Sequence, residues 1–426
     1  MPLYTLIELP IPPGFVHATP NKINSNGVIA GTCGEYYGRT SAMIWDTTGY
    51  KVIGPPAFYG RSTSINANDI LVGSFTDAQI INCPFFWDNK TSTFALINQP
   101  PNYNEGLIVS DINDKNQMIG HTEQYSINPF HSCLFWSGLN SIPVGFGNPT
   151  KYSWSAGINN NGILIGAINN NGSIDQAFFG DTATQALTLI PNSTSCWAIN
   201  DLTKPQILSF WNYSPTKSYM FDTSTNVLND LTIPGVGTFP HDINNNSEIV
   251  GETSIDGAVL WKGLIKIKLN NPLISDAQIK GWNLTSASSI NDMGQIVGLG
   301  FFNGKQLPWL LNPNPKLTAR KIPFEHMLPQ ILWPGQAYDR PKPKRWPKAF
   351  PFPLPDPSPF GFVGEAYRIQ QEILNVLKIQ EMVNNIPDKR EGVAIGKIVT
   401  KLIQQKSKKL SSLIEKGLLE RSKSKK

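Results

Sequence analysis

Several kinds of chemistry are excluded by what this sequence lacks. Only 4 of its 426 residues are cysteines, and Cys33, Cys83, Cys133 and Cys196 are too widely spaced for a zinc site. Four cysteines in a chain of this length are also too few for a disulfide-stabilised scaffold. We therefore expect these residues to be small buried hydrophobic groups.

Recognisable catalytic and metal-binding motifs are missing as well. The 5 histidines are scattered, and neither His-x-His nor His-Glu-x-x-His occurs. The sequence contains no Gly-x-Ser-x-Gly motif and no P-loop. It therefore predicts no catalytic, cofactor-binding or metal-binding residue, although carboxylates from distant segments could still converge in the folded protein.

Long apolar runs are absent too. No stretch of about 18 or more apolar residues occurs, so we expect no membrane-spanning segment. The first ten residues lack the basic stretch and apolar core of a signal peptide. The compartment stays open: the expectation is a protein that is cytoplasmic or exported by a non-classical route.

Charged residues are scarce, at 16% of the chain against roughly 25% in an average globular protein. Turn formers are abundant, with 35 Gly and 34 Pro, and 40% of the residues are hydrophobic. This composition is typical of many short strands rather than long helices, and it supplies enough apolar material for a core.

The chain repeats itself with a period near 45 residues. The repeat is marked by the dipeptide Ile-Asn, which begins at Ile23, Ile65, Ile112, Ile158, Ile199, Ile243 and Ile290. This period matches the four-stranded blade of a β-propeller, which is typically about 40–50 residues long. The seven copies therefore predict an all-β, seven-bladed β-propeller.

The fifth position of the repeat predicts a tight turn. It is occupied by Gly27, Asp69, Asn116, Gly162, Ser247 and Gly294. Gly, Asn and Asp tolerate the left-handed backbone region, which a three-residue hairpin loop requires at its last position. Ser247 is the weakest match. The copy that begins at Ile199 contains extra residues and Pro205, and for it we expect a longer, irregular loop.

Two further strands follow the turn in each copy. A run ending in Gly comes directly after it, and an apolar run follows that contains Trp45, Trp87, Trp136 or Trp261 in four of the copies. A looser segment precedes each Ile-Asn, as in residues 5–9. We predict a unit of four strands in the order leading, Ile-Asn, Gly-ended and aromatic. Core packing is favoured for the Trp residues over a sugar-binding platform.

These residues resemble the HAF repeat family, whose pattern is similar to Ile-Asn-Asp-x-Gly-x-Val-Val-Gly followed by Ala-Phe-Leu-Trp. The best matches are residues 290–298 and 258–261, and the resemblance covers roughly residues 3–312. It implies a propeller-like fold and, for the family, extracellular repeats. The chain departs from the pattern because no His directly precedes an aromatic run; His131 is the nearest, one residue out of register.

The repeated polar residues allow two interpretations. Pairs such as Asn24 and Asn26 faintly resemble a calcium loop, but no Glu follows in register. The favoured interpretation is that each Asn bonds backbone groups across its own turn. Asp114, Asp201 and Asp292 recur beside these residues, and we interpret them as turn formers.

The charge is distributed unevenly along the chain. Residues 1–313, the predicted propeller, carry 14 Lys+Arg and 21 Asp+Glu, whereas the remaining residues carry 22 and 10. Residues 314–363 form a predicted irregular and Pro-rich linker, and residues 364–426 a predicted basic, amphipathic helical tail. The tail either docks on an anionic membrane surface or acidic partner, or forms a packed helical hairpin with solvated lysines. Nucleic acid is disfavoured because few aromatic residues interrupt its basic ones.

Two functions from different classes follow from this sequence. The preferred one is a non-enzymatic propeller scaffold that binds a protein or a glycan through its loops. The alternative is a propeller-type hydrolase that acts on glycans, with carboxylates gathered at the central mouth. The charged residues that line the channel discriminate between them.

Overall fold

A computed structural model describes residues 3–314, apart from residues 36–37, 55–58, 77–81, 101–105, 123–132, 147–151, 170–174, 214–215 and 273. His131, the Pro-rich linker beyond Asn314 and the basic tail lie outside the described residues. The described part is built from 28 β-strands in seven four-stranded antiparallel sheets. It contains no α-helix. The predicted all-β, seven-bladed propeller is therefore confirmed.

Each sheet is one blade, and the strands follow the chain. The first strand, β1 (Tyr4–Glu8), precedes blade 1, which contains β2 (His17–Ile23), β3 (Ile29–Gly34), β4 (Thr40–Asp46) and β5 (Gly49–Ile53). Blade 2 contains β6 (Tyr59–Ile65), β7 (Ile70–Thr76), β8 (Asn82–Asp88) and β9 (Thr93–Leu96). Blade 3 contains β10 (Leu107–Ile112), β11 (Met118–Thr122), β12 (Cys133–Trp136) and β13 (Val144–Gly145).

The remaining blades follow the same plan. Blade 4 contains β14 (Tyr152–Ile158), β15 (Ile163–Asn169), β16 (Gln176–Asp181) and β17 (Leu187–Leu189). Blade 5 contains β18 (Ser195–Ile199), β19 (Gln206–Trp211), β20 (Lys217–Asp222) and β21 (Val227–Asp230). Blade 6 contains β22 (Thr238–Ile243), β23 (Glu248–Thr253), β24 (Gly257–Lys262) and β25 (Ile265–Lys268). Blade 7 contains β26 (Trp282–Ile290), β27 (Ile296–Phe302) and β28 (Lys305–Pro313), together with β1.

The N-terminal strand closes the ring. Strand β1 pairs antiparallel with β28, so that Tyr4 lies opposite Pro313 and Glu8 opposite Trp309. Both ends of the strand array thus lie in one sheet, as expected if neither end is to leave a bare edge. The inner strands β2 and β26 also contact each other, which joins blade 1 to blade 7.

The order of strands within a sheet corrects the predicted unit. In blade 1 the sheet order is β2-β3-β4-β5, so the Ile-Asn strand is the first strand and the aromatic strand is the third. The segment that leads into the next Ile-Asn, β5, pairs with the aromatic strand that precedes it in the chain. The four strand types were predicted correctly, but the blade begins one strand later than the predicted unit. The physical reason is closure, which uses the first leading strand to complete the last blade.

The turn chemistry behaves as predicted. All six fifth-position residues have positive φ, from 59° at Asn116 and Ser247 to 78° at Gly27. In the copy that begins at Ile199, the backbone N–H of Asn200 reaches the carbonyl of Gln206, which confirms a longer loop. Elsewhere this hydrogen bond spans only four residues, as from Asn159 to Ile163.

The aromatic strands form the cores between and within blades. Trp45, Trp136 and Trp261 are each at most 2% exposed, whereas Trp87 is only partly buried. The Gly-ended strand passes directly beneath them: a Cβ at Gly31 would lie 2.1 Å from the Trp45 ring and 2.7 Å from the carbonyl oxygen of Thr19. This close approach, rather than an unusual φ, is why the run ends in Gly.

Candidate functional site in the central channel

The first strands of the seven blades surround the central channel. Each of these inner strands contacts its neighbours on both sides around the ring. Each also carries a β-bulge at the same place, two residues before the Ile of Ile-Asn. A bulge turns a side chain away from the regular alternation of a strand. The bulged residues are Asn21, Thr63, Ser110, Ala156, Trp197, His241 and Ser288.

Most bulged residues fasten their blade to the next one. Asn21 donates to the carbonyl of Ser62 at 2.6 Å, and Thr63 to that of Val109 at 2.7 Å. The equivalent bonds of Ser110, His241 and Ser288 measure 3.2, 3.0 and 2.6 Å. Ala156 has no side-chain donor for such a bond. Trp197, which is 45% exposed, instead stacks on the His241 ring at a centroid distance of 5.3 Å.

A charged layer lies one residue further along the inner strands. This layer consists of Lys22, Ser64, Asp111, Gly157, Ala198, Asp242 and Ser289. The Lys22 ammonium donates to Asp242 Oδ1 at 2.7 Å, although their blades are separated by blade 7. Ser289 of blade 7 donates to Asp242 Oδ2 at 2.5 Å. Three blades at the closure point are therefore tied together by one carboxylate.

Electrostatics in this layer follow from burial and from the opposing charges. Burial lowers the pKa of Lys22, but Asp242 and Asp111 outweigh it, so that its pKa lies above the usual value. Burial raises the pKa of Asp111, and Lys22 and a hydrogen bond from Ser64 only partly oppose this effect. The channel thus holds a firmly protonated ammonium among carboxylates.

The seven Asn residues of Ile-Asn form a closed ring. The side-chain amide of each donates to the backbone carbonyl of the equivalent Asn in the next blade, at 2.8–3.3 Å. Asn291 of blade 7 completes the ring by donating to Asn24 of blade 1 at 2.9 Å. The side-chain oxygen accepts backbone N–H groups of its own turn, for instance those of Asn26 and Val28 for Asn24. The favoured interpretation of these residues is confirmed, but the bonds between blades were not predicted.

The residue after each ring Asn lies at one mouth of the channel. At this mouth Asp114, Asp201 and Asp292 are exposed and alternate with Asn160 and Asn245. Each of the five accepts the backbone N–H at the same position of the preceding blade, at 2.6–2.8 Å. The three carboxylates therefore link blades, a role that our interpretation of them as turn formers did not include.

One carboxylate at the mouth has unusual electrostatics. Although the residue as a whole is exposed, partial burial of its carboxyl group raises the pKa of Asp201 above the ordinary Asp value, and the negative charges of Asp114 and Asp292 add to this effect. The backbone N–H of Asn160 opposes it, as does the more distant ammonium of Lys22. Within the described residues, Asp201 Oδ2 has no hydrogen-bond donor.

Three of the four cysteines are buried thiols. Burial raises the pKa of Cys33, Cys133 and Cys196 to about 12, so these thiols stay protonated at neutral pH. None of the four cysteines takes part in a disulfide bond. Among the described residues, no group of three or more His, Cys, Asp or Glu is placed to hold a metal ion. The described part of the chain also contains no helix that could cross a membrane.

Sequence reasoning missed the convergence of charge in the channel. Lys22, Asp111 and Asp242 were not singled out, although all three stand directly before the Ile of a repeat copy. Aligning the seven copies on that position would have revealed it as a variable, partly charged column. Which of its members meet could not be read from the alignment, because that depends on the ring geometry.

Comparisons with known proteins identify no family for this chain. No protein-family model matches the chain, and no curated protein does. A structure from a study of two prolyl endopeptidases is 10% identical with a TM-score of 0.47, covering 71% of this chain and 52% of that one. The β-propeller domain of the Trilobed protease from Pyrococcus furiosus is 10% identical with a TM-score of 0.44, covering 69% and 95%. The chain thus spans about half the length of the prolyl endopeptidase, and these likenesses concern the fold alone.

Proposed function

We propose that this protein is a non-enzymatic β-propeller scaffold that binds a protein or glycan ligand through its loops. One observation carries the proposal. Among the described residues, each Asp of the charged layer and of the mouth accepts a backbone N–H from a neighbouring blade; these residues are Asp111, Asp114, Asp201, Asp242 and Asp292.

Carboxylates used in this way are poor acid–base catalysts. A general acid or base must be free to exchange a proton with a substrate within hydrogen-bond reach. In four of these residues both carboxylate oxygens accept hydrogen bonds; they are Asp111, Asp114, Asp242 and Asp292. The oxygen that does not bond a backbone N–H of a neighbouring blade accepts from a side-chain donor, for example Ser64, Asn160 or Asn245. Their arrangement supports a role in holding the ring together and leaves recognition to the loops.

The hydrolase alternative rests on a single residue. Among the described residues, no donor reaches one oxygen of Asp201. The residue is also exposed at the mouth and has a raised pKa, and these are the properties of a general acid. A glycosidase needs a second carboxylate, and Asp114 and Asp292 are the candidates nearest in charge. In both of them the two oxygens are already bonded.

The test compares binding with turnover on the same molecules. The full chain, Asp201→Asn and the control Asp230→Asn, which changes an exposed Asp outside the channel, are applied to an array of immobilised glycans and to fluorogenic glycosides. The proposal expects equal glycan retention by all three proteins and no release of fluorophore. Release of fluorophore by the full chain that stops with Asp201→Asn would establish the hydrolase instead.

Membership of the HAF repeat family is part of this proposal. It is supported by the turns, which occur in all seven copies at the positions that the family pattern requires. In every copy except the longer one, the fifth residue has a positive φ. We also propose that the basic tail, residues 364–426, docks on an anionic surface or acidic partner. Residues 364–426 carry 14 Lys+Arg and 7 Asp+Glu, and this excess of positive charge supports the proposal because the propeller itself is acidic.

A further inference from the structure

A cleft lies between blades 6 and 7, at the ends of the sheets remote from the Asn turns. Its volume is about 550 Å³, within the range of small-molecule sites. Phe239 of β22 and Glu252 of β23 form one wall, the turn at residues 254–256 forms the rim, and Asn283 and Thr285 of β26 form the other wall.

The cleft is held in shape by its own hydrogen bonds. Ser254 and Gly237 bond each other twice, backbone to backbone at 2.9 Å and through the Ser254 hydroxyl at 3.1 Å. On the far side, the side chain of Asn270 donates to the Leu284 carbonyl and accepts from its N–H, both at 2.8 Å. The same side chain also reaches the carbonyl of Asp256 at 3.3 Å. The rim is thus fixed to both blades without a ligand.

Two side chains in this preformed wall are unused by the fold. Phe239 and Glu252 lie directly opposite each other on paired strands, so their side chains share one face. Phe239 is 41% exposed, and no hydrogen bond or ion pair within the described residues involves the Glu252 carboxylate. The residues equivalent to Glu252 in blades 1 and 2, Thr32 and Ser74, accept hydrogen bonds from Asn21 and Arg61.

The two carboxylates that line the cleft, Glu252 and Asp256, and the two lysines paired with Asp256 together carry no net charge. Asp256 forms ion pairs with Lys266 and with Lys268, the latter at 2.5 Å. The excess positive charge of that group balances the free carboxylate of Glu252. A neutral ligand with many hydroxyl groups suits such a site better than an ion, because neither sign of charge is in excess.

We propose that this cleft binds one saccharide ring of a glycan. The ring's C–H face lies against Phe239, because C–H groups carry a partial positive charge and an aromatic face a negative one. Its hydroxyl groups donate to Glu252 and exchange hydrogen bonds with the Asn283 amide. This inference rests on the proposed function and names its ligand class and site.

The test uses saturation-transfer NMR on the full chain. The probes are free glucose, galactose, mannose, fucose and N-acetylglucosamine, with lactose, cellobiose and chitobiose as disaccharides. The variants are Phe239→Ala and Glu252→Gln. The controls are Tyr50→Ala in blade 1 and Glu8→Gln on β1, the outermost strand of blade 7, and they change an exposed aromatic and an exposed acidic residue away from the cleft lining. Because Phe239 is partly exposed and Glu252 is unbonded, all four variants are expected to keep the melting temperature of the parent.

We expect at least one sugar to bind with a Kd on the order of 1 mM. That binding should weaken at least tenfold in both cleft variants and stay unchanged in both controls. Binding that survives both cleft substitutions, or no saturation transfer to any probe, would overturn the inference. Failure of the proposed function has a different signature in the same spectra: monosaccharide signals would appear as a disaccharide is hydrolysed.

Discussion

The ring of seven Asn side chains allows a sharp test of what holds the blades together. Asn159 is 2% exposed and its side chain makes three hydrogen bonds. It donates to the Asn200 carbonyl in the next blade at 3.0 Å and accepts from the backbone N–H groups of Asn161 and Ile163. The substitution Asn159→Ala removes all three bonds without affecting the strands themselves.

The loss of stability depends on which of the polar groups that lose their partner can be hydrated. Asn161 is exposed, so its N–H can be hydrated, whereas the Asn200 carbonyl and the Ile163 N–H stay within the ring. Each buried polar group left unpaired costs about 1–3 kcal/mol. Asn159→Ala should therefore destabilise the propeller by about 3–5 kcal/mol. At about 2 °C per kcal/mol for a large domain, its melting temperature should fall by roughly 6–10 °C.

The matched control is Asn161→Ala, two residues away on the same turn. Its side chain also bonds the next blade, to Asp201 and Leu202, but it lies in solvent and should cost under about 1 kcal/mol. Both melting temperatures can be read by circular dichroism or calorimetry. If the two variants melt within about 2 °C of each other, the Asn ring is not a main source of adhesion between blades.

Asn159→Asp separates the donor from the acceptor. The carboxylate keeps both turn bonds but, when ionised, loses the bond to the Asn200 carbonyl and places a charge in the ring. Protonation restores a donor, so this variant should recover toward the parent as the pH falls from 7 to 4. No recovery relative to the parent over that range would show that the amide donor contributes little.

Three further predictions concern other parts of the chain. At Gly294, φ is 75° and the atom nearest to an added Cβ would be 3.5 Å away. Gly294→Val should destabilise the protein by roughly 1–2 kcal/mol or more, and Gly294→Asn by much less. Equal melting shifts for the two variants would contradict the left-handed turn. Gly162 is a poorer site for this comparison, because the Thr182 hydroxyl lies 2.6 Å from its added Cβ. Burial raises the pKa of Asp46, but hydrogen bonds from Thr48 and Asn89 outweigh this effect and lower the pKa to about 2. Asp46→Asn should therefore destabilise the protein by its full amount above about pH 4, and the difference in stability from the parent should vanish as the pH falls toward 2. A chain ending at Arg340 should lose salt-sensitive binding to heparin and to anionic vesicles while keeping its melting temperature; equal binding by the shortened and full chains would remove the tail's proposed role.

The polar layers around the channel also explain how a charge-poor protein maintains a ring. Hydrogen bonds from the bulged residues, the charged layer, the Asn ring and the mouth residues all join one blade to the next. Such bonds are directional, so they set the angle between blades where apolar packing alone would tolerate several. Trp197 and Ala156 are the positions where this pattern is relaxed.

The sequence alone was enough to predict the number of blades, the types of strand, the left-handed turns and the buried aromatic cores. The strands and turns depend on contacts within about ten residues, so local chemistry determines each one, and the apolar runs show which strands are buried. Gly27 adopts the left-handed turn because it has no Cβ that would clash there, and Asn116 because its short polar side chain tolerates this conformation. The longer loop after Ile199 could be predicted for the same reason, because its extra residues are visible in the chain.

Only the tertiary structure decided which strand begins a blade, which carboxylates meet and where a ligand cleft opens. Those features join residues from different repeats. Asn291 reaches Asn24 across 267 positions of sequence, and Lys22 reaches Asp242 across 220. Such pairs exist only once the ring has closed through β1 and β28, because closure sets the angle of every blade to its neighbours. The cleft likewise requires Phe239 and Asn283 to face each other across two blades, and no spacing within one repeat specifies that distance.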